Sequence, residues 1–206
     1  MGIFGRKGNT TTSTTTTTTP TAVDPALAAL TGTYTVDASH TRVGFTARHA
    51  MVTNVRGAFT DLDGTLKLDG SDPSGSKASI TIRMASIDTG AADRDGHLRS
   101  ADFFDAETFP EMTFRSTKAE QLGGSDYRIT GDLTIKDTTR PLSIDLEFNG
   151  SATDPFGNER VGFEGSATIL RSDWGLTWNA ALEAGGVLVS DKIKLNFDIS
   201  AIKDAA

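Results

Sequence analysis

Histidines, carboxylates and nucleophiles are the side chains most able to carry chemistry here, and the histidines are few: His40, His49 and His97. A zinc site needs further His, Cys or carboxylate ligands at close spacing. None of the three histidines sits in such a motif, and His40 and His49 have opposite strand parity. His97 is flanked by Asp93, Arg94, Asp95 and Arg99. That neighbourhood reads as a salt-bridged helix face, as a polar rim that orients a ligand head group, or as a tuned general acid or base. The chain contains no cysteine, no Gly-x-Ser-x-Gly and no glycine-rich phosphate loop followed by lysine. Asp61-Leu-Asp63-Gly64 fails the spacing of a calcium-binding loop. The expectation is therefore no catalytic residue, no metal and no cofactor beyond a bound ligand.

The more informative residues are apolar. From Ser86 to Thr117 the period-two alternation found elsewhere in the chain stops. Asp88-Thr89-Gly90 reads as a turn or helix entry, and Ala91 to Ser100 is polar with Leu98 its only large apolar side chain. Phe103, Phe104 and Phe109 then follow within seven positions, closed by Pro110. An apolar cluster on a non-strand insertion must bury itself or form an exposed patch. The segment is expected to lie across one end of a β-barrel with its phenylalanines in the mouth. Trp174 and Trp178, in Arg171-Ser-Asp-Trp-Gly-Leu-Thr-Trp, either cap a barrel end or line a ligand portal.

The elements that must position these residues are strands. The folded part begins at Gly32-Thr-Tyr-Thr-Val-Asp, and Arg42 to Ala50 alternates, with Val43, Phe45, Ala47 and His49 on one face. Met51 to Gly57 reads as a connection, Phe59 to Asp69 as one strand, and Ala78 to Ser86 as another with Ile80, Ile82 and Met84 inward. Met112, Phe114 and Ser116 share a face; Tyr127, Ile129, Gly131, Leu133 and Ile135 keep strict phase. Leu142 to Phe148, Val161 to Ile169 and Ile193 to Ile199 complete roughly eight strands, most joined by short turns. Such a series predicts an all-β fold, either a sandwich or a closed antiparallel up-and-down barrel of about eight strands, with a short helical insertion. Gly131, Gly165, Ala167 and Ala47 fall on its apolar faces and are expected to leave room beside the larger side chains. A barrel of about eight strands either just fills its interior or holds one small ligand. Strands of about ten residues would make a tube about 30 Å long.

Composition narrows the partners. The net charge of -7 and the scattered 20 basic residues argue against nucleic acid. No apolar run approaches the length of a membrane-spanning helix. Met1 to Lys7 is followed by nine threonines and one serine between Thr10 and Thr19. No apolar stretch of a secretory signal follows the basic pair, which leads to the expectation of a cytoplasmic protein. Residues 1–30 read as a disordered threonine-rich tail and 31–206 as the barrel domain, with Pro25 to Leu30 forming at most one helical turn. An exposed apolar edge between barrels would allow a homodimer.

From about Gly32 to Lys203 the chain resembles the YceI-like family, the lipocalin-like polyisoprenoid-binding proteins of bacteria. The resemblance rests on Tyr34-x-Val36-Asp37-x-x-His40, the later His49 and Gly57-x-Phe59, followed by Ser86-Ile-Asp-Thr-Gly90. It continues through Arg94-Asp-x-His97-Leu-Arg-Ser-x-Asp-Phe-Phe-Asp105 and Phe109-Pro-x-Met-Thr-Phe-x-Ser116. Gly131-Asp-Leu-Thr-Ile135, Thr139-Arg140-Pro141 and Arg171-Ser-Asp-Trp-Gly175 complete it. The chain departs from the family pattern in its threonine-rich start and in Asp137, where the family usually has glycine. The resemblance implies an extended eight-stranded barrel holding an isoprenoid lipid, such as a polyprenyl chain or the tail of an isoprenoid quinone, as carrier, store or sensor. The ligand-facing set expected along the pore is Phe45, Phe59, Ile82, Met84, Phe114, Ile129, Leu133, Phe148 and Phe163. At its mouth stand His97, Leu98, Phe103, Phe104, Trp174 and Trp178. The alternatives are an enzyme acting on such a lipid with His97 as acid or base, and a filled barrel serving as an interaction module.

Overall fold

The alternating segments form one antiparallel sheet that curls until its ends meet. The computed structural model describes residues 25–183 and 185–205. The threonine tract, and with it most of the expected tail, lies outside the described residues. Two short helices, α1 (Pro25–Ala28) and α2 (Ala92–Arg99), accompany eleven strand segments. These are β1 (Gly32–Val36), β2 (Arg42–His49), β3 (Thr53–Phe59), β4 (Leu62–Leu68), β5 (Lys77–Arg83) and β6 (Ile87–Asp88). The remainder are β7 (Glu111–Gly123), β8 (Asp126–Ile135), β9 (Thr138–Thr153), β10 (Glu159–Leu170) and β11 (Val189–Lys203).

Eleven segments make eight staves. One edge of β11 pairs with β10 from Ile202↔Arg160 to Lys192↔Leu170. Its other edge pairs first with β1, at Lys203↔Tyr34 and Ala201↔Val36, and then with β2, from Asp198↔Arg42 to Val189↔His49. β1 and β2 are therefore one interrupted stave. β3 pairs with β2 and β4 with β1, which makes a second interrupted stave. β5 and β6 make the third, pairing with β4 and β3 respectively. The breaks in the second and third staves bond to each other, Thr60 N–H to the Ser86 carbonyl (3.2 Å) and Arg83 N–H to the Asp61 carbonyl (3.0 Å). From β7 to β11 the staves are long and continuous, and closure between β11 and β1 leaves that part of the barrel without a free edge.

Four expectations change. Residues 53–57 belong to a strand and not to a connection: β3 pairs with β2 in register from His49↔Thr53 to Val43↔Phe59. Its sequence, T-N-V-R-G-A-F, has lost the alternation, and its last three residues are all buried. The strand read as Phe59 to Asp69 is split at Thr60 and Asp61, and the one read as Ala78 to Ser86 ends at Arg83 in a short helical turn over Met84–Ser86. The glycines do not leave empty space. A β-carbon at Gly131 would stand 2.4 Å from the Arg115 carbonyl oxygen and 2.6 Å from Cζ of Phe114. At Gly165 it would stand 2.3 Å from the Asp145 carbonyl oxygen and 2.7 Å from Cδ2 of Leu146. These positions are filled by the neighbouring strand and its side chains; they permit close backbone approach.

The β8–β9 turn places Lys136 at φ 57, and Ile135 pairs with Thr138 around it. The left-handed residue is thus Lys136, and Asp137 does not need the freedom of glycine.

Candidate functional site

Apolar side chains facing inward from the staves enclose three compartments in a row. The central one, about 120 Å³ for the centre of a water-sized sphere, is bounded by Leu66, Ile80, Ile82, Met112, Phe114, Leu133, Leu142, Ile144, Leu195, Phe197 and Ile199 among others. Phe59, Met112 and Leu195 also line a second compartment of about 90 Å³ beneath α2. Leu68, Ser76, Ile129, Leu146 and Phe163 are likewise shared with a third, of about 100 Å³, beneath α1. The shared walls make one interrupted tunnel through the barrel. A dry apolar cavity on the order of 150 Å³ takes up a benzene-sized guest, so each compartment suits a small branched hydrocarbon unit.

The α2 end is heavily fastened. Asp95, only 6% exposed, accepts hydrogen bonds from the Thr89 amide (2.9 Å) and the Thr89 hydroxyl (2.5 Å). Arg94 donates to the Thr89 hydroxyl (2.7 Å) and carbonyl (2.8 Å), and Arg99 donates to the Ile87 carbonyl (3.2 Å). Asp93 and Asp95 in the first turn, with Arg99 in the last, complement the helix dipole. Leu98, Phe103 and Phe104 point from this segment into the compartment below. Phe104 meets Phe59 edge to face at 6.1 Å, and Phe59 lies 5.9 Å from Phe45. Phe109 does not join the plug: its ring sits 5.8 Å beneath the Lys136 ammonium and lines none of the three compartments.

His97 and Trp178 stand behind this plug. His97 Nε2 lies 2.9 Å from an Asp102 carboxylate oxygen, and its ring packs edge-on against Phe103 (5.1 Å) and Trp178 (4.6 Å). Trp174 is 3% exposed and donates its indole N–H to the Leu133 carbonyl (3.1 Å). Met84, 1% exposed, is packed core. These four, His97, Trp174, Trp178 and Met84, line none of the compartments; Phe45, Phe59, Ile82, Leu98, Phe103, Phe104, Phe114, Ile129, Leu133, Phe148 and Phe163 do. Among the described residues no three His, Asp or Glu side chains converge as metal ligands.

Arg171, Leu27 and Leu30 are among the lining residues outside the expected ligand-facing set. Arg171 is 6% exposed beside the α2-end compartment, yet its guanidinium turns away and donates to the carbonyls of Ser190 (3.1 Å), Leu176 and Val189 (3.5 Å). Burial pushes its pKa down and Asp191 partly restores it. Leu27 and Leu30, from α1 and the turn after it, line the opposite compartment. Their three-residue spacing was the available signal; Arg171 had none beyond a charge beside a tryptophan.

A closed antiparallel barrel with an apolar lumen, plugged by aromatic side chains, defines a lipocalin-like class of protein. A family model described as a YceI-like domain matches residues 34–201. The chain belongs to the YceI-like family. It is 40% identical over 169 residues to a UPF0312 protein of Staphylococcus epidermidis, covering 82% of this chain and 95% of the relative. A UPF0312 protein of Photorhabdus laumondii is 39% identical over 151 residues, 72% of this chain and 78% of the relative. The crystal structure of BcnA from Burkholderia cenocepacia superimposes with a TM-score of 0.70 at 25% identity, covering 80% of this chain and 98% of that one. A YceI protein of Campylobacter jejuni gives 0.67 at 32% identity, covering 76% and 90%. A polyisoprenoid binding domain from Saccharophagus degradans gives 0.63 at 17% identity, covering 83% and 98%, a likeness of fold. No helix among the described residues is long and apolar enough to cross a membrane.

Proposed function

We propose that the barrel binds an isoprenoid lipid, a polyprenyl chain or the tail of an isoprenoid quinone, threaded through its three compartments, and acts as a carrier, store or sensor. The observation that carries this reading is the row of compartments with shared, almost wholly apolar walls. A chain with a methyl branch at regular intervals suits a tunnel of wide rooms and narrow necks. Each buried CH₂ contributes about 0.8 kcal/mol, so one five-carbon unit contributes about 4 kcal/mol gross. Micromolar affinity needs only about 8 kcal/mol net, and a few units supply it even after an association cost of about 4–15 kcal/mol. No proton transfer or covalent step is required. The candidate acid or base, His97, stands behind the Phe103 ring and not at a compartment wall.

The test is extraction of the purified protein and mass spectrometry of what it releases, with uptake of geranylgeraniol by the stripped protein alongside. A co-purified isoprenoid, or saturable uptake at one chain per barrel, is expected. A barrel that carries nothing and takes up neither prenol nor quinone overturns the reading.

A further inference from the structure

The two ends of the tunnel differ in chemistry and in how firmly they are closed. At the α2 end the only polar side chain at the wall among the described residues is Arg171, whose N–H groups are directed to backbone carbonyls. At the α1 end Asp69, Ser76, Tyr127 and Arg128 join the apolar lining. The Arg128 guanidinium is held by both carboxylate oxygens of Asp145, at 2.6 and 2.9 Å, and the Tyr127 hydroxyl accepts one hydrogen bond from Gln121 (3.3 Å). The α2 cover is fixed by a buried carboxylate and two arginines. The α1 cover is a four-residue helix with no buried residue. It is held through the Tyr34 hydroxyl on the Leu30 carbonyl (2.8 Å), Lys203 Nζ on the Ala29 carbonyl (3.1 Å) and the Gly70 amide on the Thr31 hydroxyl (3.1 Å). Gly70 fits directly beneath α1, since a β-carbon there would stand 1.6 Å from the Leu27 carbonyl oxygen. A single helical turn has little stability of its own.

From this asymmetry we infer that α1 is the gate of the lumen, and that the polar end of the ligand comes to rest beneath it. The inference rests on the lipid-binding reading above and adds an entrance, an orientation and a head-group class. The hydrocarbon enters under Leu27 and Leu30 and runs toward Phe103 and Phe104. Its head stays beside the Tyr127 and Ser76 hydroxyls. Those groups, next to the Asp69 carboxylate and an arginine already paired, favour an uncharged hydroxyl or carbonyl head over a phosphate.

The experiment uses retinol, a fluorescent isoprenoid alcohol, in stopped-flow binding to the full chain, with geranylgeraniol and squalene as competitors. Leu30→Ala is expected to raise both association and dissociation rates about tenfold while Kd moves less than threefold. Trp178→Ala, which loosens the opposite cover without touching a compartment, is expected to leave the association rate within twofold. Tyr127→Phe is expected to weaken geranylgeraniol about fivefold, the worth of one ordinary hydrogen bond, and squalene not at all. Faster association in Trp178→Ala than in Leu30→Ala places the entrance under α2 and overturns the gate. Equal weakening of alcohol and hydrocarbon by Tyr127→Phe overturns the head-group assignment. Retinol, geranylgeraniol and squalene all failing to bind the unaltered protein would instead remove the lipid-binding reading itself.

Discussion

The ring of Phe114 lies over the backbone of Gly131, so closely that a β-carbon there would stand 2.6 Å from its Cζ. The two positions occupy neighbouring strands, β7 and β8, and the pairing shifts register between Ser116 and Lys118 just beside them. Phe45 stands in the same relation to Gly57, where a β-carbon would be 2.5 Å from its Cζ. In both places glycine serves the ring next to it.

These two glycines separate in their response to substitution. At Gly57 the obstruction is side chain, Phe45 and the Thr89 methyl. Gly57→Ala is expected to cost about 1–3 kcal/mol, the range for overpacking, and Phe45→Leu in the same chain should restore much of it. At Gly131 the nearest atom is the Arg115 carbonyl oxygen at 2.4 Å. Gly131→Ala should cost at least as much, and Phe114→Leu should not rescue it. Urea unfolding of the two double-mutant cycles measures the difference.

Narrowing the tunnel should abolish binding before it abolishes folding. Ile129 lines both the central and the α1-end compartments. Ile129→Trp is expected to reduce geranylgeraniol uptake at least tenfold, at a stability cost of about 1–3 kcal/mol. Uptake titration and far-ultraviolet circular dichroism on the same sample check both halves.

Arg160 joins two loops at one end of the barrel, donating to Asp37 (2.6 Å) and Asp154 (2.8 Å). Hydrogen bonds from the Ser39 hydroxyl and Arg160 hold the Asp37 carboxyl well below the usual carboxylate range, and Arg160 and Asn158 do the same for Asp154. A carboxylate with a lowered folded-state pKa stabilises the fold above its unfolded pKa of about 3.9 and loses that contribution as pH falls below it. Arg160→Met is expected to lower stability measurably at neutral pH. That difference should shrink to less than about half by pH 2, as the unfolded chain takes up its protons. Chemical unfolding between pH 7 and pH 2 measures it; a difference independent of pH would mean Arg160 acts by packing alone.

Arg171 is a buried cation satisfied by the carbonyls of Leu176 and of Val189 and Ser190 at the start of β11. Arg171→Met keeps the bulk and leaves the Ser190 and Leu176 carbonyls without this donor, at an expected cost of about 1–3 kcal/mol each where water cannot reach them, while the Val189 carbonyl keeps its hydrogen bond from Asn179 (2.7 Å). Limited proteolysis should then cut between Leu176 and Val189 faster than in the unaltered chain.

Most staves were legible because a half-buried strand writes its two faces into alternate residues, as Tyr127 to Ile135 do. β3 was not, because Thr53 to Phe59 changes from exposed to buried along its length and keeps no period. The plug was legible in kind: Phe103 and Phe104 do enter the lumen, whereas Phe109, only five residues further, pairs with Lys136 outside it. Spacing along one chain cannot report which of three rings a turn will send outward. The glycines misled for a related reason. An absent side chain leaves the same mark in a sequence whether the vacated volume stays open or is taken by the ring across the ladder. The α1 end was hidden by composition, since Leu27 and Leu30 sit next to the threonine-rich stretch.

The long strand β11 is the hoop that holds the vessel shut, bonded to β10 along one side and to β1 and β2 along the other. A ribosome delivers it after every other stave. Until Lys203 has cleared the exit tunnel, the nascent sheet carries two raw borders and a lumen open along its length. Closure joins residues more than 160 positions apart, as Tyr34 and Lys203 show. Such distant pairing folds slowly. On the lipid-binding proposal, the apolar chain is wrapped during assembly, and a newly made barrel need not wait for an entrance to open before it is first filled.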